Sequence, residues 1–81
     1  MKIPRDIGSD NIIQLLKKYD YKVTRQTGSH IRLTSNIKEI EHNITIPKQK
    51  ELKIGTLNNI LNDISKYLEI DKESLIQNLF K

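Results

Sequence analysis

At 81 residues the chain is expected to form one domain, 1–81, and a domain this small buries only about 60% of its unfolded surface and nets on the order of 5 kcal/mol, so every apolar face must be used. The absence of cysteine excludes disulfides, thiolate nucleophiles and Cys-ligated zinc, and no apolar run approaches the ~18 residues of a membrane span. The net charge of +4 comes entirely from positions 22–53, where seven basic residues (Lys22, Arg25, Arg32, Lys38, Lys48, Lys50, Lys53) face three acidic ones (Glu39, Glu41, Glu51), while the remainder balances. A polyanion-binding face accounts for that concentration of charge; plain solubility is the competing explanation.

Positions 1–8 read as a short extended lead-in with Ile3 and Ile7 available to pack. Met1-Lys2-Ile3-Pro4-Arg5-Asp6 has no apolar h-region, so the chain is expected to be soluble and unprocessed, and a small domain without staples fits a reducing cytosol. Ser9 is a good N-cap, and Ile12, Ile13, Leu16 and Tyr19 follow at helical spacing, which predicts a helix over about 10–19. Lys17 and Lys18 suit its negative end, and Asp20 is a plausible stop because Asp tolerates the left-handed conformation.

Tyr21-Lys22-Val23-Thr24-Arg25-Gln26 and His30-Ile31-Arg32-Leu33-Thr34 are rich in β-formers, and Thr27-Gly28-Ser29 between them reads as a hairpin loop with Gly28 free to take positive φ. A third run, His42-Asn43-Ile44-Thr45-Ile46, stops at Pro47, which cannot donate to a ladder. The three runs predict an antiparallel meander. A lysine-bearing loop, 47–53, then leads to a helix marked by Ile54, Leu57, Ile60, Leu61, Ile64 and Leu68. Asp71 caps a short third helix, 72–80, with Ile70 and Leu75 placed as a staple across the cap. The fold class is therefore α+β, in the order αβββα with a C-terminal helix appended; the core is expected over about 8–68 and the appended element over about 71–80.

Strand alternation assigns the faces. If Val23, Ile31, Leu33, Ile44 and Ile46 pack on the helices, then Lys22, Thr24, Gln26, His30, Arg32, Thr34, Asn43 and Thr45 lie on an open, polar, basic face. His42 has the parity of Ile44 and Ile46, so it is expected to point toward the helices, in a structural role, away from His30. None of the four aromatic residues falls on the open face, which argues against a base-stacking platform.

Arg25-Gln26-Thr27-Gly28-Ser29-His30, then His42-Asn43-Ile44-Thr45-Ile46-Pro47, then Leu52-Lys53-Ile54-Gly55-Thr56-Leu57, taken in that order, resemble the HicA family of bacterial toxins over most of 1–64. The resemblance implies a double-stranded-RNA-binding-domain-like fold, with the helices on one face of the three-stranded sheet. It implies a metal-independent endoribonuclease that cleaves mRNA and needs no cofactor, and a HicB-like antitoxin that covers the active face. The family's catalytic histidine, in its Gly-Ser-His turn, corresponds to His30. Two positions depart from the family pattern: Asp20 stands where Gly is common, and Gly8-Ser9 reverses the usual order. The C-terminal helix extends past the family core, where it completes the core, pairs two protomers or meets the antitoxin; the free chain is expected as a monomer.

The residues support that chemistry on their own terms. RNA is cut without metal when a base takes the proton of a ribose 2′-OH that attacks the adjacent phosphorus while an acid helps the 5′-oxygen leave. Histidine, whose ordinary pKa lies near ~6.5, supplies both proton-transfer states near neutrality. Arg32, two residues along the same face, is placed to clamp the phosphate. Gly28 and Ser29 shape the turn and offer backbone N–H groups, whereas Ser29 is a poor nucleophile because its neighbour His30 points the other way. Lys22, Arg25, Lys48, Lys50 and Lys53 complete the expected RNA-binding set, the last three around a helix start. A lysine, a water or the substrate itself is left as the second proton carrier. The alternative on the same fold is a non-catalytic RNA-binding module; a weaker one is a domain whose basic face meets an acidic protein.

Overall fold

The computed structural model describes residues 3–80; the first two positions of the expected lead-in, and Lys81, lie outside the described residues. The element order is α1 (Ser9–Leu16), a single 3₁₀ turn (Lys17–Tyr19), β1 (Lys22–Thr27), β2 (His30–Ser35), β3 (His42–Pro47), α2 (Ile54–Leu68) and α3 (Lys72–Phe80). The strands form one antiparallel sheet in the order β1-β2-β3. Ile31, Leu33, Ile44 and Ile46 are buried on one side of it, in a single cluster with Ile12 and Leu16 of α1 and Leu57, Ile60, Leu61, Ile64 and Leu68 of α2. The expected α+β, αβββα arrangement with helices on one face is the one observed.

Local chemistry explains most element boundaries. The first helix tightens into the 3₁₀ turn three residues earlier than expected and stops at Asp20, whose φ of 66° is left-handed. Ser9 is not the N-cap. Gly8 holds that position, its N–H donating to Asn11 Oδ1 at 2.9 Å, while Ser9 is buried and uses its hydroxyl elsewhere: it donates to the Gln49 carbonyl at 3.0 Å and accepts from the Gln49 N–H at 3.1 Å. The 47–53 loop is thereby drawn against the start of α1 so closely that a Cβ at position 8 would lie 2.3 Å from the Lys50 carbonyl oxygen. Only glycine fits there. A further bond, from the Leu52 N–H to the Ile7 carbonyl at 2.7 Å, fixes the far end of the loop.

Two expected core residues are exposed instead. Val23 stands opposite Leu33 on the helix side, but β1 is an edge strand and the side chain is left 49% exposed. Ile54, at the first position of α2, is 47% exposed; the apolar stripe of this helix begins to bury one turn later, at Leu57. The C-terminal helix completes the core: Leu75, Ile76 and Leu79 are buried in the common cluster. It starts as expected, with Asp71 accepting from the Ser74 N–H at 3.0 Å and from the Ser74 hydroxyl at 2.8 Å. These bonds hold the Asp71 carboxyl below its ordinary range. Lys18 Nζ reaches the Asn78 carbonyl and Asn78 Nδ2 donates to the Tyr19 hydroxyl, tying α3 to the end of α1. Among the described residues no helix is long and apolar enough to cross a membrane.

Candidate active site on the open sheet face

Thr27 pairs with His30, so the hairpin turn has two residues, Gly28 and Ser29, and only Gly28 has positive φ (52°). That is the position where a two-residue turn of the II′ kind needs glycine. The turn starts β2 at His30, which has Thr27 on one side and Pro47 on the other. Its imidazole is exposed and has no hydrogen bond or ion pair among the described residues. Arg32 follows two residues later on the same face, opposite Thr45.

The face does not contain the residues that simple alternation assigns to it. Between Val23 and Arg25 the pairing slips by one: Val23 is opposite Leu33, yet Arg25, not Thr24, is opposite Arg32. Thr24 is thus a bulge, the extra residue that reverses strand parity beyond it. Gln26, expected on the open face, pairs with the buried Ile31 and so belongs to the helix side. In exchange Arg25 and Thr27 join His30 and Arg32, and these four with Thr45 line an open depression of about 170 Å³. Thr24 remains on the open side, where its hydroxyl lies 2.9 Å from that of Thr34. The sequence held no signal for this slip, because β1 has one apolar residue, Val23, and one residue cannot set a parity.

The expected RNA-binding residues divide into two groups. Gly28, Ser29, Arg25, Arg32 and Lys48 gather at the turn end of the sheet, Lys48 because its N–H donates to the Ser29 carbonyl at 2.6 Å. Lys50 and Lys53 continue along the same loop, exposed, with Lys53 at the N-cap of α2. Lys22 stands apart. It begins β1, five residues and roughly 16 Å along the strand from Thr27, and its ammonium is 3.8 Å from Asp20.

His42 points to the helix side, as its parity requires. Its Nδ1 lies 2.6 Å from the Tyr21 hydroxyl and its Nε2 3.4 Å from Asp63 Oδ1. Its ring stacks on Tyr67 with centroids 4.5 Å apart. Burial, then the neighbouring Tyr67 and Asp63, push the Tyr21 phenol upward, so the phenol keeps its proton for the contact with Nδ1. Tyr67 in turn accepts from the Lys38 N–H at 3.1 Å and donates to the Ile40 carbonyl at 2.6 Å, pinning the loop between β2 and β3. Tyr67 and Asp63 come from α2, far along the chain from His42, and were not foreseeable as its partners.

Comparison with characterised proteins and with solved structures gave no match. The family model of the HicA toxin of bacterial toxin-antitoxin systems matches residues 9–65, from α1 into α2, and the chain belongs to that family.

Proposed function

We propose that the chain is a metal-independent endoribonuclease acting on mRNA, with His30 as its one catalytic histidine, working as a single domain in the cytoplasm and restrained by a HicB-like antitoxin. The observation that carries this reading is the convergence of His30, Arg25 and Arg32 on one exposed depression, in a chain of a toxin family. His30 takes the proton of a ribose 2′-OH; the freed oxygen attacks the adjacent phosphorus; the bond to the 5′-oxygen breaks as that oxygen gains a proton. The products are a 2′,3′-cyclic phosphate and a 5′-hydroxyl. Arg32 binds the phosphate oxygens, and Lys48, Lys50 and Lys53 contact the backbone beside the turn. The face carries no aromatic side chain, so recognition rests on phosphate and ribose more than on base stacking.

The experiment is cleavage of RNA in EDTA by the wild-type chain and by His30→Ala, with growth arrest on expression as the cellular readout. The variant is expected to stay folded and to do neither. Equal cleavage by His30→Ala removes the catalytic assignment. Binding without cleavage by both proteins would mean a non-catalytic RNA-binding module.

A further inference from the structure

We propose that Arg25 and Arg32 form a two-guanidinium clamp on one phosphate, the scissile one, and that the Thr24 bulge, held by a hydrogen-bonded chain across the sheet, is what delivers Arg25 to it. The inference rests on the ribonuclease reading of the same face and goes beyond it in giving Arg25 a role in the reaction and Thr24 and Thr34 a positioning role.

Directly opposed residues of an antiparallel pair have Cβ atoms about 4.5–5.5 Å apart, and like charges there destabilise the pair. Arg25 and Arg32 are such a pair. Neither takes part in an ion pair among the described residues, and carboxylates that contact strand residues do so at the other end of the sheet: Asp20 with Lys22, Glu41 with Asn43, Asp63 with His42. A regular strand would have avoided the repulsion by placing Arg25 opposite Ile31. The bulge creates it, beside His30. An anion between the two forks relieves it, and a phosphodiester has two non-bridging oxygens, one for each arginine. In the ground state those oxygens share one negative charge. When the 2′-oxygen adds, the phosphorane carries nearly two, so a doubly charged clamp binds the transition state better than the substrate.

The bulge is anchored. Thr34 Oγ1 donates to Asn43 Oδ1 at 2.6 Å, and Asn43 Nδ2 donates to Glu41 Oε2 at 3.0 Å. With the Thr34 proton committed to Asn43, the 2.9 Å contact between the Thr24 and Thr34 hydroxyls has Thr24 as donor. Three strands are thus linked through side chains on the open face, and the linked residue of β1 is the bulge itself.

The test is single-turnover cleavage at saturating RNA, together with the Kd of an uncleavable analogue bearing 2′-deoxyribose at the cleavage position. Arg25→Ala is expected to lower the saturating rate by about 10²-fold, the usual effect of removing one preorganised transition-state donor, while weakening the analogue by less than ~10-fold, because the analogue lacks the developing charge. Arg25→Lys is expected not to restore the rate, since an ammonium has no fork. Thr34→Val should lose part of the rate, Thr34→Ser should regain it, and Thr34→Val should cost nothing further in the Arg25→Ala background. A loss confined to Kd, full rescue by lysine, or additive loss in the double variant would each overturn the clamp. His30→Ala, run in parallel, separates the two failures. If neither wild type nor His30→Ala cleaves, the ribonuclease reading itself falls; if His30→Ala cleaves like wild type, the assignment of the reaction to this face falls; if it is inactive while Arg25→Ala keeps the wild-type rate, the clamp alone falls.

Discussion

His30 and His42 stand at opposite ends of the β2–β3 ladder, one opposite Pro47 and the other paired with Ser35, and their surroundings differ in every respect that matters for chemistry. His42 has a partner at each ring nitrogen and a tyrosine stacked on its face; its ring is built into the packing between Tyr21, β3 and α2. His30 has open solvent and two arginines, and among the described residues no carboxylate lines its depression. An imidazole already engaged at both nitrogens cannot approach a ribose hydroxyl without breaking structure, whereas a free one can. The same residue type is therefore a joint at one end of the sheet and, in the proposed function, a reactive group at the other, and burial with partners is what separates the two settings.

Substitutions at the two ends should break in different ways. The largest expected effect is on activity: His30→Ala should lower RNA cleavage by at least ~10²-fold, the usual contribution of a general base, with an unchanged melting temperature. Next, replacing Lys48, Lys50 and Lys53 together by Ala should weaken RNA binding and flatten the plot of log Kd against log salt by about 2, at roughly 0.7 for each single-strand phosphate that is no longer neutralised. An unchanged slope would place RNA elsewhere on the surface. His42→Ala should show the converse of His30→Ala. It leaves the buried Tyr21 hydroxyl without its acceptor, a loss of about 1–3 kcal/mol on denaturant unfolding, while activity per folded molecule is retained. A His42→Ala protein that is stable but inactive would reverse the assignment of roles.

The smallest effect is at Asp71, at the start of α3. Its carboxyl is held below the ordinary range by the Ser74 bonds, so its contribution is present above the unfolded value near ~3.9 and is lost as pH falls through the lower folded value. Asp71→Ala should lower the melting temperature at pH 7, and the gap to wild type should close on strong acidification. A gap independent of pH would show that capping by the charged form is not the source.

Much of this molecule was legible in its residues, for a physical reason. Helix α2 repeats apolar side chains at helical spacing and carries no competing pattern, and β2 and β3 alternate cleanly around Ile31, Leu33, Ile44 and Ile46. Local stereochemistry also specified Gly28 and Asp20 as left-handed positions and placed His30 and Arg32 on one face, since residues two apart on a regular strand share a side. His42 was directed inward by the same parity.

What only the tertiary structure decided lies where the local pattern is weak or the partners are distant. Nearly all of β1 is polar, so its parity was open, and the slip at Thr24 comes with a hydrogen bond to Thr34 on another strand. That slip removed Gln26 from the open face and brought Arg25 onto it. Ser9 reads as a cap by type, but the Gln49 backbone competes for its hydroxyl from forty residues away. Val23 and Ile54 are apolar, yet the edge of the sheet and the first turn of α2 are only half covered by the described residues. Short-range sterics and periodicity are properties of the chain alone; which polar atom satisfies which, and which apolar atom is left in water, depends on what the finished fold brings alongside.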